Sequence, residues 1–198
     1  MAMRWPKEMN LYGKIDSNTS WYIKAISQAE RAYKDKSFQT LENIATAVLS
    51  FSLTVESLLL TAKFIDSVEH ATERKPLAMF LALSEPTRAK VEETYEKYKL
   101  ENMKADRLPA FRIFFGIEAR AFYDAGDPDG IIDVLEMHND AYSTWRRIDE
   151  GSECTVYEYN FGYMDAFYRA LRDTLFVLAD KILERRRAQA PPGGSDLR

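Results

Sequence analysis

The chain has 198 residues, 46% hydrophobic and 29% charged, and a globule of that length buries roughly 70% of its unfolded surface without help from a disulfide or metal. A single cysteine, Cys154, excludes an internal disulfide framework and a multi-thiolate zinc site, and two histidines, His70 and His138, leave little for imidazole metal chemistry. A net charge of −4 excludes wholesale coating of nucleic acid, and no unbroken apolar run nears the roughly 18 residues of a membrane span, so no membrane association is expected.

Residues 1–19 carry charge but no apolar stretch of the kind a secretory signal needs, and they read as an N-terminal extension. With the lone thiol, this fits a reducing cytoplasm. A first helix is predicted over 20–33, where Trp21, Tyr22, Ala25, Ile26, Ala29, Ala32 and Tyr33 recur at spacings of three and four. Residues 38–69 contain neither Gly nor Pro and predict one long helix. Its middle, 45–60, is apolar on more than one side and is expected inside the fold. Pro76 opens a short helix over 76–83. Ser84 is a plausible N-cap for an amphipathic helix over 87–100. Pro109 is expected to open a further helix through Phe111, Ile113, Phe114, Ile117 and Phe122. The run 126–130, Gly-Asp-Pro-Asp-Gly, is a loop. A helix is predicted over 131–147, with Trp145 among its inner residues. Residues 148–160 end in the β-prone Val156-Tyr157-Glu158-Tyr159 and predict an extended insert. The last helix, 163–187, has Asn160 as a possible N-cap and Arg185, Arg186 and Arg187 at its negative pole. From residue 188 on, two prolines and two glycines predict a loose tail. With only eight glycines and seven prolines, the class is all-α: one domain of five to seven helices over 20–187.

Three segments then resemble the HEPN superfamily of small helical domains. Residues 45–65 contain LSFSLTVESLLLTAKFI and resemble its long central helix, with a glutamate, Glu56, ahead of a leucine pair. Residues 138–150, HNDAYSTWRRIDE, resemble its helix-end stretch of Asn, aromatic, Trp, Arg and acid. Residues 160–183 resemble its closing helix. The resemblance implies an antiparallel helical bundle, a homodimer through the central helices, and a setting in prokaryotic defence, toxin–antitoxin or RNA-processing systems. The ribonuclease branch of the family carries Arg, then four to six residues, then His. There, arginine stabilises phosphoryl charge and histidine moves a proton. Here Arg146 and Arg147 match the arginine, but Ile148 to Thr155 contains no histidine. The departure implies a non-catalytic member that contacts RNA or protein. The alternatives are a divergent metal-independent ribonuclease using Arg146, Arg147 and Glu150, and a structural or regulatory protein-binding bundle without nucleic acid.

The candidate binding residues are Arg146, Arg147, Glu56, Asn139 and Trp145. Arg146 and Arg147 either contact a phosphate or partner, or end a helix and pair with Asp149, Glu150 or Glu153. Glu56 in its apolar run either orients one of those arginines or reaches solvent at the rim. No metal and no cofactor is expected. Glu136 and His138 are two apart and diverge on a helix, Asp66 and His70 form an isolated i,i+4 pair, and Cys154 has no activating base beside it. The aromatics Tyr157, Tyr159, Phe161, Tyr163, Phe167 and Tyr168 either stack bases or pack the insert onto the helices, and packing is the expectation.

Overall fold

The computed structural model describes residues 11–34, 40–66, 74–105, 108, 110–115, 128–150 and 155–189. The expectations for residues 1–10, Ser37, 67–69, His70, 116–122, Cys154 and the tail from residue 190 fall outside them. The fold is mostly helical with one small two-stranded sheet. In chain order it runs α1 (Leu11–Asp16), α2 (Thr19–Lys34), α3 (Thr40–Ile65), α4 (Pro76–Leu81), α5 (Glu85–Ala105), β1 (Ala110–Phe115), α6 (Ile131–Met137), α7 (Ala141–Trp145), a 3-10 turn (Ile148–Glu150), β2 (Thr155–Asn160) and α8 (Phe161–Gln189).

Helix α3 is unbroken for 26 residues, as the absence of Gly and Pro predicts. It packs on α2, α4, α7 and α8. Its inner side is sealed: Phe51, Leu58, Leu59 and Ala62 have no exposed surface. The opposite side is open, with Leu53 at 48% and Leu60 at 45% exposure. The expected burial of the middle of this helix therefore holds on one side only. By length and composition α3 could also cross a membrane. Run length misses this because the serines and threonines that interrupt the run cost little in a helix of this hydropathy. The enclosed inner side places α3 as a core helix of the fold.

Phe51 is the hub of that core. Its ring lies 5.9 Å from Tyr22, 6.4 Å from Tyr159, 5.7 Å from Phe161 and 6.1 Å from Tyr168. Tyr22 also stacks on Tyr168, with centroids 4.4 Å apart. The predicted aromatic cluster is thus mostly interior: Tyr157, Tyr159, Phe161, Phe167 and Tyr168 are all buried. Their faces are taken by neighbouring side chains, which rules them out as a base-stacking platform.

A polar network ties the outer helices together. Asp165 of α8 is 2% exposed. It accepts hydrogen bonds from the Tyr22 hydroxyl of α2 and from Asn102 Nδ2 of α5 at 2.9 Å, with Arg169 at 3.7 Å. A buried carboxylate is tolerated only when its lone pairs are met in this way. Burial, and then the charge of Asp165, push the Tyr22 phenol far above its usual range. At the other end of α8, Tyr12 of α1 stacks on Phe176 at 6.0 Å and donates to Asp180.

Four local expectations are corrected. Ordered packing begins by Leu11, because Leu11 and Ile15 are buried in the core; the bundle boundary at residue 20 is too late. Residues 110–115 form a strand where a helix was expected. The run Ala-Phe-Arg-Ile-Phe-Phe fits either state by composition, and pairing with β2 decides it. Phe111 faces Tyr159, Ile113 faces Tyr157, and Arg112 faces Glu158 with a 2.6 Å ion pair. The extended insert is shorter than expected, since residues 148–150 are a 3-10 turn. The helix expected over 131–147 is broken at residues 138–140 into α6 and α7. Asn160, in contrast, caps α8 as predicted, its Oδ1 accepting from Tyr163 N at 3.1 Å.

Truncating Phe51→Ala should lower the unfolding free energy by about 3–5 kcal/mol, read as a reduced urea midpoint. Trp21→Ala, outside that hub, should move it by no more than about 0.5 kcal/mol.

Candidate functional site

The break between α6 and α7 builds one wall of a concave surface. His138 ends α6. Its Nδ1 lies 2.6 Å from the Val134 carbonyl, and its Nε2 accepts from Asn160 N at 2.9 Å. The ring packs edge-on against Tyr159 at 4.7 Å. With both nitrogens committed to backbone groups, the chain turns sharply, and Asn139 and Asp140 project toward α4. Asn139 Oδ1 accepts from Leu77 N at 3.2 Å. That bond caps α4, whose own N-cap residue, Lys75, supplies no side-chain acceptor. Lys75 Nζ instead pairs with Asp140 at 3.3 Å.

A groove of about 630 Å³ results. Its floor is the open side of α3, including Leu53, Glu56 and Leu60, and its wall is Asn139, Asp140 and Tyr142. Arg74 reaches across it to Glu56 at 3.8 Å. The lining holds two acids, Glu56 and Asp140, and two bases, Arg74 and Lys75, so its formal charge is zero. Both ion pairs are largely solvated and hold these side chains in place by no more than about 1 kcal/mol each. A smaller hollow of about 250 Å³ adjoins it across Leu53 and Ser57, bounded by Asn18 and Trp21 of the α1–α2 corner. Together the two make one long trough over α3.

The structure brings two of the sequence-predicted residues, Glu56 and Asn139, into this groove. Glu56 pairs with Arg74, not with Arg146 or Arg147 as one reading had it. Arg146 and Arg147 sit exposed at the end of α7. Arg147 Nε lies 3.4 Å from the Ser143 carbonyl, and its own carbonyl accepts from the Tyr157 hydroxyl at 3.4 Å. That is the placement of a helix-ending arginine. Glu150 is exposed in the 3-10 turn, and its side chain makes no ion pair with either arginine among the described residues. Trp145 is 1% exposed and packs edge-on against Tyr157 at 5.8 Å. Its candidacy as a contact residue is overturned: it is core.

Asp66 is also accounted for. Its carboxylate accepts from Ser84 Oγ and Thr87 Oγ1, each at 2.8 Å, at the start of α5. Among the described residues no group of three or more His, Cys, Asp or Glu converges to hold a metal ion. Sequence reasoning missed Arg74, Lys75, Asp140 and Tyr142. The Lys75-Pro76 break marks a helix start but does not show what that start faces.

No protein-family model, no curated protein and no solved structure matches this chain.

Burial lowers the pKa of His138 from 6.5 to about 4, against the hydrogen bond to Val134, which raises it. The unfolded chain therefore binds the extra proton first. The stability that the neutral ring confers is complete above pH 6.5 and is lost as the pH falls through 4, a total on the order of 3 kcal/mol. Unfolding free energies measured across that window should show the decline, and His138→Gln should remove it.

Proposed function

We propose that this chain is a non-catalytic, HEPN-like helical module that acts by contacting another macromolecule in a cytoplasmic setting. The observation that carries this reading is the state of His138. It is the histidine nearest in sequence to Arg146 and Arg147, and it is fully buried, with both ring nitrogens bonded to main-chain groups. A proton-transfer catalyst needs a nitrogen within reach of substrate and a pKa near working pH; this ring has neither. Arg146 and Arg147 stand exposed, and among the described residues neither makes an ion pair, which suits contact better than phosphoryl chemistry. The trough on α3 exposes Leu53 and Leu60 and balances two acids with two bases, which fits recognition of a folded partner. Prokaryotic defence or toxin–antitoxin systems are the setting the HEPN resemblance implies.

The expected result with mixed RNA and no metal is no cleavage, and Arg146→Ala and Arg147→Ala should leave that unchanged. Cleavage by the parent protein that either substitution abolishes, followed on a denaturing gel, would reverse the reading in favour of a ribonuclease.

A further inference from the structure

We infer that the smaller hollow, between the start of α2 and the middle of α3, is a binding site for one neutral sugar ring of the hexopyranose class. This goes beyond the contact-module reading and does not depend on it. Asn18 and Trp21 form one wall, and Ser50, Leu53, Thr54 and Ser57 of α3 form the other. The α3 residues recur at spacings of three and four, so they share one face of the helix. The hollow holds about 250 Å³. That is below the roughly 300–1,000 Å³ of drug-sized sites and suits a single ring.

Asn18 creates the demand for a ligand. The residue is 7% exposed, yet its Nδ2 has no hydrogen-bond partner among the described residues. A buried donor without an acceptor is a standing cost to the fold, and an acceptor brought into the hollow removes it. Along α3 the carbonyls of Ser50 and Ser57 already accept from Thr54 at 2.8 Å and Thr61 at 3.0 Å. What the helix offers a ligand is therefore the two half-buried serine hydroxyls, each able to donate and to accept.

Charge and shape narrow the class. Among the described residues no lysine, arginine, aspartate or glutamate lines the hollow. A phosphate, carboxylate or ammonium entering it would lose water and gain no counter-charge. A wholly apolar ligand would leave Asn18 unpaired. A sugar ring meets both limits, with hydroxyls on its edge for Asn18 and the serines. Its faces carry polarised C–H bonds, and these suit the negative face of an indole. Trp21 is 57% exposed and available for that contact, with Leu53 completing the apolar wall. Lys24 Nζ lies over the Trp21 ring at 5.4 Å and does not line the hollow.

Both walls are set before any ligand arrives. The Asn18 carbonyl accepts from Tyr22 N at 2.9 Å. Tyr22 stacks on Tyr168 at 4.4 Å and packs against Phe51, the α3 residue next to Ser50. The aromatic hub thus fixes the two walls relative to each other, and binding orders little that is not already ordered.

The test uses the full chain, labelled with nitrogen-15, and titrates glucose, galactose, mannose and N-acetylglucosamine separately. At least one should shift the Trp21 indole N–H resonance, identified by its loss in Trp21→Phe, with a Kd on the order of 1 mM. The resonance of buried Trp145 should stay in place. Saturation transfer to the same sugar should fall at least tenfold in apparent affinity with Trp21→Ala and with Asn18→Leu, and about threefold with Ser57→Ala. Trp21→Ala and Ser57→Ala keep the test decisive if Asn18→Leu does not fold. Arg74→Ala, in the neighbouring groove, should change nothing. No shift with any of the four sugars, or binding indifferent to Trp21→Ala, would overturn the inference. So would a phosphorylated glucose that binds tighter than glucose, or adenosine shifting the Trp21 resonance where the sugars do not, which would make a nucleobase the occupant. None of these outcomes bears on the RNA-cleavage assay, so this site and the non-catalytic reading stand or fall separately.

Discussion

Phe51 is the side chain on which the arrangement turns. One ring, with no exposed surface, touches aromatic partners from α2, β2 and α8. An early helix and the contiguous β2–α8 segment, more than 100 residues later, are thereby set around one point of α3. Edge-to-face and tilted contacts of this kind fix orientation as well as distance, since the ring edge of one meets the face of the next. Because Tyr159 also takes the edge of His138, the hub reaches the corner that builds the trough wall. Core packing and surface shape are parts of one contact chain here.

The division of α3 into a sealed side and an open side follows from how few elements surround it. Helices α2, α7 and α8 close over Phe51, Leu58 and Leu59. None covers Leu53 or Leu60 fully, which stay 48% and 45% exposed. Covering two leucines that are half exposed would yield on the order of 1 kcal/mol each at the usual return for buried apolar area. That is a meaningful sum beside the marginal stability of a domain this size.

What could be read from the sequence were the features set locally. Helix α3 is legible because 26 residues pass without Gly or Pro, and the cap at Asn160 because the side chain bonds three residues on. What could not be read depends on distant partners. Residues 110–115 are a strand because Tyr157 and Tyr159 lie opposite. The helix after residue 131 ends at His138 because that ring takes the Asn160 amide, 22 residues away. The same holds for the site. Glu56 and Asn139 were legible as polar groups in apolar surroundings. Trp145 misled, because an aromatic beside two arginines reads as a contact residue until its burial is known. The open side of α3 was hidden, because a helix apolar on several sides does not say which one its neighbours leave bare.

The tie between Tyr12 and α8 bears on how the molecule is made. The Tyr12 hydroxyl meets a carboxylate 168 positions later in the chain, and Phe51 waits on rings that follow residue 158. A growing polypeptide leaving the ribosome carries its most apolar helix long before it carries the residues that enclose it. Such a chain stays unassembled, and open to capture by chaperones, until Tyr159, Tyr168 and Asp180 have been made.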